Sequence, residues 1–163
     1  MKNPAQKLLI KLARELYQTE SAAVSHARRE AARNADSPPA TAMLDVASHA
    51  DRVLKTLPQL FEGRGVGSMS FLGTVGTVVF SAVRRLGVDY LMGQERSYRM
   101  TLLGMRHGID LVYELEQLAK ELKDEPLTEW CRVWLERRVP LVTSVERQLQ
   151  WFVTHPEKAI QGA

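Results

Sequence analysis

Between its prolines and glycines, the chain repeats apolar residues at intervals of three and four, and no useful length of it alternates apolar with polar. That spacing is the period of an α-helix burying one face, and it leaves no segment from which a sheet can be built. The reading is therefore all-α: an antiparallel up-and-down helical bundle with four long helices plus one shorter apolar helix.

Local signals set the boundaries. Asn3-Pro4 places a capping side chain before a proline at the first helical position and opens a helix over residues 4–34. Ser37-Pro38 repeats the signal and opens a second over 38–62, which Pro58 bends or ends because proline lacks the donor for the preceding turn. Gly63-Arg64-Gly65-Val66-Gly67 reads as a loop. The apolar helix follows over 68–86 and a long helix over 89–123. Asp124-Glu125-Pro126 then starts a last helix, 126–155, bent at Pro140 and stopped at His155-Pro156. Connections of about two to six residues favour antiparallel neighbours. A length of 163 residues suits a single domain, 1–163, with one core.

Charge narrows the partners. The 22 basic and 19 acidic residues are interspersed, for a net charge of +3, which describes solvated helix faces and argues against nucleic acid as a partner. Cys131 is the only cysteine, so neither an internal disulfide nor a thiolate metal cage can form. With Lys7, Lys11 and Arg14 interrupting the first apolar residues, no signal-peptide core is present, and the expected location is cytoplasmic. The stretch from Val66 to Val83 carries no charge and approaches the length of a membrane span, yet Gly67, Gly73, Gly76 and several hydroxyl side chains lower its apolarity. The expectation is a segment buried in the bundle or against another copy, with membrane contact the less favoured reading.

The most informative residues are polar ones lying inside apolar stripes. Glu20 falls in the stripe Leu9, Leu12, Leu16, Ala23, Ala27, and Arg138 falls in the stripe Cys131, Trp134, Leu135, Val142, Val145. Glu95 lies between Leu91 and Tyr98. A lone charge in such a position costs several kcal/mol, so partners are required. Glu20 and Arg138 both stand near mid-height of their helices, as do His49 and His107. They predict a polar layer across the bundle in which Glu20 and Arg138 lie within about 4 Å, the usual salt-bridge limit. The layer either fixes helix register or forms a candidate ligand-binding site made of Glu20, His49, His107 and Arg138.

Chemical motifs are otherwise absent. Ferritin-like di-iron bundles place a glutamate three residues before each ligating histidine. Here Ala23, Val46, Gly104 and Phe152 precede His26, His49, His107 and His155, so the similarity is one of architecture only and no metal or cofactor is assigned. A phosphotransfer histidine would need a small, basic surround that neither His49 nor His107 has in full. No triad order is present, Cys131 sits on a core stripe, and the 63–67 loop lacks the lysine of a phosphate-binding loop. The expected function is a non-enzymatic helical bundle acting through protein–protein contacts, by self-association through the apolar 68–86 segment. The alternative is a small-ligand- or metal-binding bundle.

Overall fold

The computed structural model of the chain describes residues 3–66 and 93–162. About 85% of these residues are helical, and among them there is no strand. Helix α1 spans Pro4–Arg33, α2 Pro38–Leu60, α3 Gln94–Glu121 and α4 Glu125–Arg147; two short helices follow, α5 at Leu149–Thr154 and α6 at Pro156–Ala159. The expected helix over 68–86, and residues 89–92 of the next one, lie outside the described residues.

Three of the expected starts carry their caps. Asn3 Oδ1 accepts from the Ala5 N–H at 3.1 Å, Ser37 Oγ from Ala40 at 3.4 Å and Asp124 Oδ1 from Leu127 at 3.1 Å. Proline occupies the first turn after each. Pro58 stands in the last turn of α2, and α4 runs through Pro140, which is exposed.

The last helix differs from expectation by breaking at Gln148. The Val145 carbonyl accepts from Gln148 N at 3.1 Å, a three-residue turn, and also from the Tyr98 hydroxyl at 3.1 Å. With that carbonyl engaged, the helix ends at Arg147 and α5 follows from Leu149, setting Phe152 against Tyr98 with ring centroids 5.2 Å apart.

The four long helices form a square in which every neighbouring pair is antiparallel. α1 meets α2 and α3, and α4 closes the ring against both. At one end Gln94 Nε2 donates to the Arg33 carbonyl, joining the end of α1 to the start of α3. At the other, the Gln6 amide donates to the Arg64 carbonyl, and Arg64 grips Asp124 through Nε–Oδ2 at 2.6 Å and Nη2–Oδ1 at 2.8 Å. Val66 and Gly93 therefore stand at opposite ends of the bundle. The short turns join α1 to α2 and α3 to α4, while the passage from α2 to α3 is end to end.

The core is divided into two apolar clusters. The one nearer the N-terminus of α1 gathers Leu12, Leu16, Leu57, Phe61, Leu115 and Leu127. The other gathers Ala27, Met43, Val46, Tyr98, Leu102 and Val145. Between them lies a polar layer.

Candidate functional site

Three of the four long helices, α1, α2 and α4, supply that layer by continuing an apolar stripe with a polar residue. On α1 the buried series Leu9, Leu12, Leu16 reaches Glu20 before resuming at Ala23 and Ala27. On α4 it passes from Cys131 through Trp134 and Leu135 to Arg138, then Val142 and Val145. On α2 it passes from Met43 and Val46 to His49 and Ala50. Helical spacing thus forces three polar side chains inward at one height.

Arg138 is the hub. Its guanidinium pairs with Glu20 through Nη2 and Oε2, and its Nε donates to His49 Nδ1 at 3.0 Å. It also lies over the Trp134 ring, 4.7 Å from the centroid, in cation–π contact, with the His49 ring 6.1 Å from the same indole. Glu20 is 0% exposed, Arg138 1% and His49 4%, so the whole group is removed from solvent. Two polar atoms remain unmatched: Glu20 Oε1, and the Trp134 indole N–H, which faces the same carboxylate without closing a hydrogen bond.

Burial and charge set the protonation states. Burial pushes the Glu20 carboxyl above its ordinary range, against the pull of Arg138 beside it. Burial lowers the Arg138 guanidinium, which still stays charged. His49 is brought down from 6.5 to about 4, first by burial, then by the cations Arg138, Arg52 and Arg137. It is therefore neutral near pH 7. Since Nδ1 accepts the Arg138 hydrogen bond, the ring proton sits on Nε2. One guanidinium thus bridges a carboxylate and a neutral imidazole, and ties α4 to both α1 and α2.

The expected pairing of Glu20 with Arg138 is present, and His49 joins it. His107 does not. It is exposed, and the buried residue of α3 at this position is Gly108, whose hydrogen points at Thr19 so closely that an added Cβ would stand 3.0 Å from Thr19 Cγ2. His107 has the right height and the wrong face: the buried stripe of α3 runs Thr101, Met105, Gly108, Val112, a hundred degrees away. Glu95 does not enter the core either. It is a third exposed and pairs along its own helix with Arg99 at 2.6 Å.

A second buried carboxylate was not singled out from the sequence. Glu30 is 0% exposed; it accepts from Ser97 Oγ at 2.5 Å, and Ser97 in turn accepts from Arg33 at 2.9 Å. Its signal was available, because Glu30 continues the seven-residue spacing of Leu9, Leu16 and Ala23.

Little reactive chemistry surrounds either cluster. Among the described residues no three metal-ligating side chains gather around one point. The Cys131 thiol is buried and pushed up to about 12, which keeps it protonated and inert. Among the described residues, two of the grooves that indent the surface have volumes of about 560 and 640 Å³, and neither is lined by Glu20, His49 or Arg138. Among the described residues no helix is long and apolar enough to cross a membrane.

Fold and site together define an all-α helical-bundle protein whose core is divided by a buried arginine–glutamate–histidine layer. No protein-family model, curated protein or solved structure matches the chain.

Proposed function

We propose that this chain is a non-enzymatic helical bundle, working in a reducing, cytoplasmic setting, that acts through protein–protein contacts and associates with itself. The observation that carries the reading is where its polar chemistry is spent. Arg138 directs its hydrogen bonds to Glu20 and His49 of neighbouring helices, and neither of the two grooves described above is lined by it, which supports a layer that holds helices together. Meanwhile large apolar side chains are left outside, Leu103 at 51% exposure and Tyr113 at 48% among them. A sole, buried cysteine suits a reducing compartment.

The alternative, a small ligand or metal held in the layer, draws on the unmatched Glu20 Oε1 and Trp134 Nε1. Sedimentation velocity of the full chain, from micromolar to millimolar concentration, with metal analysis of protein purified without chelator, separates the two. Self-association predicts a mass that rises with concentration and no stoichiometric metal. A strict monomer at every concentration, or a retained metal ion, would overturn it.

A further inference from the structure

Helix α3 shows solvent a face whose charges are sorted by sign. In its first half that face carries Arg96, Arg99 and Arg106 around Met100 and Leu103; in its second half it carries Asp110, Glu114 and Glu121 beside Tyr113, all exposed, while the exposed cation there, Lys120, is paired along the helix with Glu116 at 2.8 Å. Two of the arginines are engaged, Arg99 with Glu95 at 2.6 Å and Arg106 with Glu146 of α4 at 2.5 Å. Among the described residues Arg96, Asp110, Glu114 and Glu121 take part in no ion pair. Unpaired positive charge therefore stands at one end of the face and unpaired negative charge at the other, with exposed apolar side chains between.

The chain cannot bring the two ends of one straight helix together. A second copy can. We propose that the outer face of α3 is a two-fold symmetric docking surface for a second copy of this chain, α3 lying antiparallel on α3. In such an interface residue i meets j and j meets i, so one placement satisfies both halves. Centring the two-fold near Gly108 puts Arg96 opposite Glu121, Arg106 opposite Asp110 and Leu103 opposite Tyr113 of the second copy. Arg106 keeps Glu146 while meeting Asp110, because a guanidinium offers five donors. The same face laid parallel would set arginine on arginine, so the charges also fix direction. From Arg96 to Glu121 the strip is about 37 Å long at 1.5 Å per residue and one helix wide. That is less than the roughly 1,600 Å² of a standard interface, so the dimer is weak, reversible and sensitive to salt.

This inference rests on the self-association proposed above, and its test separates the two. Sedimentation equilibrium of the full chain at low ionic strength is compared for the native protein, Arg96→Glu, Glu121→Arg and the two combined. Each single reversal sets like charges together twice, once on each side of the two-fold, and is expected to raise Kd by about tenfold. The combined variant restores opposite charges and should return Kd to within about threefold of native. Both positions are exposed, so melting temperatures serve as the control for folding. A native dimer whose Kd ignores the single reversals, or fails to recover in the combined variant, overturns the α3 surface and leaves self-association standing. A native chain that stays monomeric overturns both.

Discussion

Arg138 is the residue on which the interior turns, because it joins α1, α2 and the Trp134 ring. Replacing it by methionine strands Glu20, 0% exposed, without its partner. Arg138→Met should therefore cost about 3–5 kcal/mol in urea unfolding, and Glu20→Leu combined with it should recover most of that loss. Additive single effects would show that the two are not coupled. His49 gives a prediction in pH. Its folded value, about 4, lies below the unfolded 6.5, so the unfolded chain binds the proton first as pH falls. The stability this neutral ring provides is whole above pH 6.5 and is lost between 6.5 and 4, on the order of 3 kcal/mol at about 1.4 kcal/mol per pH unit. His49→Gln keeps an acceptor for Arg138 and cannot titrate. Its urea midpoint should fall less than the native one between pH 7 and pH 4.5; equal falls would remove His49 as the cause. Glu20 and Arg138 were legible in the sequence because a charge inside an apolar stripe must find a partner. That His49 supplies the acceptor, and His107 nothing, follows from a hundred degrees of helix rotation that only the packed helices settle.

At the scale of the element, helix α3 sets two glycines one turn apart in opposite circumstances. Gly104 has nothing within 4 Å of an added Cβ, whereas Gly108 has Thr19 Cγ2 at 3.0 Å. Gly104→Ala should stabilise by about 0.5–1 kcal/mol through helix propensity alone. Gly108→Val should destabilise by about 1–3 kcal/mol by driving α1 and α3 apart, an overpacking cost. Thermal melts of both variants check the contrast, and equal effects would deny the close approach of these helices. The α3–α4 turn depends on Asp124, which caps α4 and grips Arg64, the latter contact holding its carboxyl below the usual range. Asp124→Asn should cost about 1–3 kcal/mol in urea unfolding, with loss of the charge-assisted pair as the larger part. The cap was readable as Asp124-Glu125-Pro126; the Arg64 contact was not, because it joins residues sixty positions apart. The break at Gln148 was hidden for the same reason, since the Tyr98 hydroxyl that occupies the Val145 carbonyl comes from another helix.

For the whole molecule, a far-UV circular-dichroism spectrum should show helix far above the roughly one-third of average globular proteins and little strand, since the described residues hold none; a substantial strand signal would contradict the fold. What the sequence by itself determined is whatever depends on neighbours along the chain. Apolar period fixed the helices, Asn3, Ser37 and Asp124 fixed three of their starts, and the stripe positions of Glu20 and Arg138 required a buried pair, because unsatisfied backbone and charge are costly whatever the fold. Only the tertiary structure decided matters that depend on which helix lies against which. It set α1 beside α3 so closely that a Cβ at Gly108 would crowd Thr19, gathered Glu30 with Ser97, and left the sorted charges of α3 facing outward. Those outcomes rest on the rotation of each helix about its axis and its height beside its neighbours, quantities that a sequence constrains only through the packing of all four at once.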